Sequence, residues 1–481
     1  MRDRDPKQVV EELWRSVGGD PSEVDGLAIA GSEPVLPGVF RVGTAAGAAV
    51  GAATLAAGCL WHDRGGPHPE AATALVEAAV AFRSERYLRV EGAPAHDVWA
   101  PLSGDYRTAD DGWVRLHCNF DHHRDAVLRA LAVEDDRGAV EAAVAAVPAV
   151  EVEERVLAEG GAAGALRSAA AWAEHPQGRH LAALPVVGLR PIATSSATGR
   201  PEPVPATAPA RPLEGVRVLD LTRVIAGPVC ARTLAAHGAE VLRVGSEHLP
   251  EVEPLLVDTG FGKRSCHLDL RTDDGREALR RLVAEADVVV QSYRPGALER
   301  IGFGAEDLAA IRPGLVCVNL SAYGPGGPWW DRRGFDSVVQ LVTGLADDAR
   351  RLAGTDQPVP LPAQALDHGA GWLAAFGAVM ALRRQRRDGG SWVVDVSLAG
   401  TAGWLRGLGR LDRLDAPEPD RAEAKRLREV VDTPWGAVSH LRPPGRLTGA
   451  DPHWVRPSPR PGSSECRWMT AGNGRHPPAL R

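Results

Sequence analysis

Lysine is almost missing from this chain: of 55 basic residues only Lys7, Lys263 and Lys425 are lysines. With arginine in nearly every basic position, a lysine retained inside a motif is informative. Cysteine pairing is equally sparse. The six cysteines, at 59, 118, 230, 266, 317 and 466, form no CxxC and fit a reduced protein better than a disulfide framework. No apolar run reaches the roughly 18–20 residues of a membrane span. The nearest, GTAAGAAVGAATLAAGCLW, is built of Ala and Gly rather than Leu and Ile. The amino terminus, MRDRDPKQVVEELW, has no apolar core of a secretory leader. A cytoplasmic protein without a membrane partner is the expectation. A net charge of −7 offers no basic footprint for nucleic acid. A GxGxxG fingerprint after the first strand, a GxSxG elbow and a phosphate-binding Walker loop are all lacking, which argues against dinucleotide binding of the usual kind and against serine hydrolysis.

What is present is length and a repeating pattern. At 481 residues the chain has room for two or three cored domains. Residues 191–212, PIATSSATGRPEPVPATAPARP, read as an extended linker. A second shift near 411 opens an Arg/Pro-rich tail with little core-forming potential, expected to be irregular and draped over another surface. The resulting division is 1–190, linker 191–212, 213–410 and tail 411–481. Between 213 and 322, short apolar runs (VRVLDL, AEVLRV, DVVVQSY, LVCVNLSAYG) alternate with helix-like segments. That alternation predicts a Rossmann-like, doubly wound parallel α/β sheet whose strand carboxyl ends are a place for a nucleotide-bearing ligand. An internal echo joins the halves. RVGTAAGAAVGAATLAAGCLWHDRGG (41–66) aligns with DHGAGWLAAFGAVMALRRQRRDGG (367–390), setting Gly43 on Gly369, Gly51 on Gly377 and Arg41 on Asp367.

Four stretches carry candidate chemistry. Asp367, alone in LPAQALDHGAGWLAAFG, reads as a helix N-cap. The same geometry suits a nucleophilic carboxylate, with Gly369 and Gly371 letting a substrate approach the backbone. HCNFDHH (117–123) is either half a metal site or a polar turn before a helix, and without a second ligand cluster the turn is favoured, so no metal is expected. SAYGPGGPWWDRRGFD (321–336) is either a rigid surface loop or a wall for a flat or thioester-bearing ligand. SYRPG (292–296) ends a strand with Arg294 where a phosphate could lie.

Taken in order, residues 213–400 resemble the family III CoA-transferases, the group that includes formyl-CoA and carnitine CoA-transferases. The likeness runs from LEGVRVLDLTRVIAGPVCARTLAAHGAEVLRV through GKRSCHLDLRTDDGREALRRLVAEADVVVQSYRPGALERIGFGAEDLAAIRPGLVCVNLSAYGPGGP. It continues in RRGFDSVVQLVTGL and DHGAGWLAAFGAVMALRRQRRDGGSWVVDVSL. Lys263 sits in GKRS, where the motif holds it against the arginine drift. The resemblance implies a Rossmann-like large domain with a smaller α/β domain, and Asp367 as nucleophile. It implies CoA held by Val224, Ile225 and Ala226 after the first strand, by Arg243 on the second, and by Tyr293 and Arg294. CoA and acyl-CoA enter as substrates together with a carboxylic acid, and no permanently bound cofactor is implied. The reaction would move CoA between acids through an aspartyl anhydride and an aspartyl-CoA thioester, with backbone N–H groups near Gly369–Gly371 as oxyanion donors.

The departures define the alternatives. α-Methylacyl-CoA racemases of the same fold pair the Asp with a His, and Phe335 stands in that place, which favours transfer over racemisation. The expected acidic GD segment after the second strand is replaced by GSEHLPEVEPLLVDTG, which keeps a non-catalytic acyl-CoA-binding paralogue in view. In the first half, PLSGDYRTADDGWVRLHCN and SAAAWAEHPQGRHLAALPVV resemble small-domain segments that ordinarily follow the catalytic helix. The chain thus reads as the latter part of one transferase fused to the front of another, a rearranged duplication. It would assemble either as an interlocked homodimer or as a pseudo-dimeric monomer.

Overall fold

The computed structural model describes residues 4–93, 99–193, 208–411, 416, 418–419 and 421–469. Most of the expected linker and the last residues of the tail therefore lie outside the described residues.

In chain order the elements that build the site are α1 (Val42–Asp63) and β1 (Gly188–Pro191), then β2 (Arg217–Leu221), α2 (Ala226–Ala236), β3 (Glu240–Gly245) and β4 (Lys263–His267). They continue with α3 (Asp273–Val283), β5 (Val288–Gln291), α4 (Ala305–Ile311) and β6 (Val316–Ser321). Last come α5 (Asp336–Val342), α6 (Ala365–Asp388) and β7 (Trp392–Ser397). The main sheet has the order β4-β3-β2-β5-β6-β7-β1. Every neighbouring pair is parallel except β7–β1. The six parallel strands follow the doubly wound order that reverses between β2 and β5, and a crevice opens there at the carboxyl ends.

Strand periodicity explains the two faces. Val218, Val288, Val290 and Val318 point into the core shared with α1, α2 and α6, whereas Leu219, Leu242, Val289 and Cys317 point into the core under α3 and α4. The helices α1 and α6 pack directly on each other in the first core. By length and composition both could cross a membrane, with mean hydropathies of 1.5 and 1.2, contrary to the sequence expectation that no run qualifies. Those stretches are wholly buried, so they are core helices.

Three further expectations are corrected. The boundary at 190 falls inside β1, whose residues 188–191 pair with 392–395, because the first half lends an edge strand to the main sheet. The tail is not all irregular. Arg428–Thr433 and Gly436–Leu441 form a hairpin that continues onto Arg89–Val90, and Arg446–Leu447 pairs with Ala71–Ala72. The segment's Arg/Pro content masks the period-two pattern of REVVDT and GAVSHL around a Pro-Trp-Gly turn.

The echo is real in space, with a shifted register. Parallel strands Leu27–Ala30 and Ala71–Ala74 flank α1, and a helix begins at Leu75. Likewise, parallel strands β6 and β7 flank α6, and a helix begins at Leu398. The helix-start residues Arg41 (φ −76°, ψ 60°) and Gln364 (φ −76°, ψ 62°) have the same backbone geometry. Three residues on, the Thr44 N–H donates to Glu33 at 2.7 Å and the Asp367 N–H to Asp336 at 2.9 Å. Asp367 therefore corresponds to Thr44 rather than Arg41. An offset of three residues keeps the same helix face, so glycine matches along an Ala/Gly helix do not fix the register.

Candidate active site

Asp367 is the third residue of α6, and Gln364 holds the cap position without a side-chain cap bond. The capping is done from outside the helix. The Asp336 carboxylate accepts from Leu366 N at 2.8 Å and Asp367 N at 2.9 Å, while its other oxygen accepts from Gln340. Gln340 in turn accepts from Leu361 N at 2.7 Å. The Asp367 side chain is thereby released from capping, contrary to the local reading of the sequence. Its residue is 8% exposed.

Asp367 occupies the wall between two cavities, sharing it with Val224, Ile225 and Phe335. The first cavity, about 200 Å³, lies at the crevice of the main sheet between the loops after β2 and β5. It gathers Ala226, Tyr293 and Arg294 from the expected ligand set. It also takes Arg223, Arg332 and Arg333, which sequence reasoning did not single out. Burial, and then Arg294 and Arg223, push the Arg333 guanidinium below its ordinary range, so like charges crowd here in a site poised for an anion. The turn after β5 is held from beneath: Tyr293 N donates to Gln291 at 2.9 Å and Gln291 donates to Asn319 at 2.8 Å.

The first wall is strained. Val224 has φ +71°, a left-handed conformation that is a genuine outlier for a β-branched residue. Its loop is anchored by the buried ion pair Lys263–Asp220 at 2.7 Å. Lys263 Nζ also donates to the Pro228 carbonyl at 2.9 Å, and Asp220 accepts from Thr222 N at 3.0 Å. A compact ammonium on a four-carbon stem serves here, where the planar fork of arginine has a different reach and shape.

The second cavity, about 310 Å³, lies on the other side of Asp367. First-half residues build much of it, including Leu88, Val90, Trp99 and His117. The Ser84–Tyr87 turn is fixed to the second half of the chain by Arg232, which donates to the Asp258 carboxylate at 3.0 Å and to Ser84 at 3.2 Å. This presents Glu85 to His368, at 3.0 Å. Although burial works against it, the contact with His368 holds Glu85 below the ordinary carboxylate range. Burial pushes Asp336 up to about 6 despite its hydrogen bonds. Asp367 is raised well above the usual range by burial, then by the nearby Asp336 and Glu85 carboxyls. Of these three neighbouring acids, Asp336 caps α6 and Glu85 pairs with His368, while the Asp367 side chain does neither.

Three sequence-derived residues sit elsewhere. Arg243 is buried and engaged by Glu251, at the edge of a small neighbouring recess rather than in the first cavity. Gly369 and Gly371 are the fifth and seventh residues of α6, so their N–H groups belong to the helical ladder and line neither cavity. Gly371 instead lets α6 approach α2, since a Cβ there would lie 2.5 Å from the Ala226 carbonyl. The HCNFDHH turn, read as a helix start, is a helix start and also cavity wall. His117 stacks on Phe335 with ring centroids 3.6 Å apart, and Arg333 lies 3.2 Å from His123. No cluster of three metal-ligating side chains occurs among the described residues.

Residues 213–424 match the family model of CoA-transferase family III. The family likeness is carried by that segment. Among similar proteins is the probable fatty acyl-CoA transferase Rv3272 of Mycobacterium tuberculosis, 34% identical over 246 residues, covering 47% of this chain and 62% of that protein. The succinyl-CoA–D-citramalate CoA-transferase of Chloroflexus aurantiacus is 36% identical over 204 residues, 40% of this chain and 50% of its own length. The acetyl-coenzyme A transferase of Hypoxylon pulicicidum is 36% identical over 211 residues, 43% of this chain and 36% of its own length. The chain thus spans between 36% and 62% of the length of these curated relatives. A crystal structure of Rv3272 is 33% identical over 41% of this chain and 58% of that one, with a TM-score of 0.37. The matched segment contains Asp367, Asp336 and the loops after β2 and β5, whereas Glu85, Trp99, His117 and the Phe120–His123 part of the first cavity's wall lie outside it.

Proposed function

We propose that the protein is a CoA-transferase that uses Asp367 as its covalent nucleophile. The observation that carries this is the placement of one uncommitted carboxyl in the wall between an arginine-rich cavity and a largely apolar one. The first suits the phosphates of CoA, and the second suits the acyl group. A carboxylate oxygen of Asp367 attacks the thioester carbonyl, and the collapsing tetrahedral species expels CoA thiolate, leaving an acyl-aspartyl anhydride. The thiolate then attacks the aspartyl carbonyl, releasing the first acid and leaving an aspartyl-CoA thioester. The acceptor carboxylate attacks that thioester, and returning thiolate takes the new acyl group and frees Asp367. Oxyanion stabilisation falls to the N–H groups of Ala226 and Gly227, the first two residues of α2, which line the first cavity. Ionisation must precede attack, so activity rises with pH through the elevated range of Asp367. In a test, Asp367→Asn abolishes transfer, and the wild type incubated with acyl-CoA carries an adduct on the 361–377 peptide. Undiminished turnover of the variant would rule the assignment out.

Racemisation has one observation behind it, since His117 lies against Phe335 and reaches the second cavity beside Asp367. Burial, and then Arg115, push its pKa down to about 3, so it takes no proton at neutral pH and serves poorly as the second base. Deuterium wash-in at the α-carbon would reveal that chemistry. The cytoplasm is the proposed compartment, and the acyl-CoA and carboxylic acid the proposed partners.

A further inference from the structure

The two cavities that meet at Asp367 differ in kind, and the difference bears on the substrate. The first is lined by guanidinium groups. The second is larger, about 310 Å³ against about 200 Å³, and its walls are mostly apolar: Leu88, Val90, Trp99, Pro254, Leu255 and Phe335. Its polar lining is divided: Ser337 Oγ and His117 Nδ1 are buried there without a hydrogen-bond partner, and Arg86 also lines it, whereas other groups are engaged. Glu85 is engaged by His368, Asp336 by the start of α6, and Arg89 by the Arg86 and Leu88 carbonyls. A hydrocarbon body meets a matched apolar wall on the Leu88, Val90 and Trp99 side. Leu88, Val90 and Trp99 lie outside the family III segment, so the acids named for relatives say nothing about this wall.

We infer that the second cavity is an acyl chamber built in part by the first half of the chain, and that it selects monocarboxylic acids with an apolar body of several carbons over two-carbon acids. The inference rests on the transferase reading for its name, but the chamber's preference is a binding property and is measured separately. Each methylene moved from water into such a wall improves affinity about fourfold. Hexanoate, with four more methylenes than acetate, should therefore bind at least tenfold tighter even when burial is incomplete. Val90, half-buried on the strand that joins the tail hairpin, is a position where added volume reaches the chamber directly.

The test uses the full chain and calorimetric titration with acetate, butyrate, hexanoate and phenylacetate. Hexanoate and phenylacetate are expected to bind tightest. Val90→Phe is expected to weaken hexanoate at least tenfold while leaving acetate within twofold and the melting temperature in place. Should that variant fail to fold, Trp99→Ala enlarges the chamber from the other side and should move the preferred chain length upward. Equal binding of acetate and hexanoate, or an equal loss for every acid in Val90→Phe, overturns the proposal. A parallel arm seeks the hexanoyl adduct on the 361–377 peptide. Its absence alongside selective binding of hexanoate would sink the transferase reading and leave the chamber standing.

Discussion

Replacing Lys263 by methionine keeps the stem and removes the charge, and the structure states what that should cost. Nζ sits 2.7 Å from the Asp220 carboxylate and 2.9 Å from the Pro228 carbonyl, and Lys263 and Asp220 are almost wholly buried. Removing one partner of such a pair leaves an uncompensated buried charge and costs about 3–5 kcal/mol. The pair itself is not a large net stabiliser. Burial, against the pull of Asp220, lowers the pKa of Lys263, so the folded state binds its proton less readily than the unfolded chain. Stability from this group accordingly rises with pH as alkaline solution approaches the ordinary lysine range. Lys263→Met combined with Asp220→Leu should recover much of the loss, since neither charge then needs solvation. A residue of about 1–2 kcal/mol should persist, because Thr222 and the Pro228 carbonyl lose their partners. Urea unfolding of the wild type, both single variants and the double variant closes the cycle. A coupling energy of at least about 2 kcal/mol is expected, and additivity within about 0.5 kcal/mol would refute the reasoning. CoA binding, read by calorimetry, should weaken in Lys263→Met, because the strained Val224 loop springs from the same anchor.

Three further outcomes are expected. Asp367→Asn should raise the melting temperature at neutral pH while abolishing transfer: an acid whose folded pKa is raised destabilises the fold above its unfolded value, and the amide removes that cost. In the wild type, Asp336 should contribute a loss of stability between pH 4 and 6 as it gives up its proton, up to about 3 kcal/mol for a rise from 3.8 to about 6 at 1.36 kcal/mol per pH unit. Asp336→Asn, followed by urea unfolding across that range, should flatten the slope, and an unchanged slope would discard Asp336 as its source. Arg333→Ala should raise the KM for acyl-CoA about tenfold or more and reduce its salt dependence, with kcat little changed; an unaltered KM would show that the arginine cluster does not meet the phosphates.

The parallel sheet was legible because its strands are buried on both faces and its helices alternate with them, a pattern carried within short stretches of chain. Asp367 was legible only through the ordered motifs around it, since locally it resembles a cap. Its true cap, Asp336, lies 31 residues away, and nothing in a linear reading ties a carboxylate to a helix start across that distance. The same limit hid the second cavity. Leu88, Val90 and Trp99 carry no motif and become neighbours of Asp367 only when the first half folds against the second. Gly369 and Gly371 misled for a different reason: a glycine beside a reactive residue suggests access for substrate, whereas here Gly371 serves contact between two helices.

The shifted register between α1 and α6 has an evolutionary consequence. In an assembly of identical subunits every substitution is made twice, so a wall and its counterpart change together. Here the two strand–helix–strand units share one chain and are encoded separately. Position 44 holds threonine while position 367 keeps its acid, and each capping carboxylate, Glu33 or Asp336, remains in place. Substitutions in the first unit therefore leave the sequence of α6 unchanged, and those on α6 leave α1 unchanged. Two separately encoded units can thus diverge in a way that two identical subunits cannot.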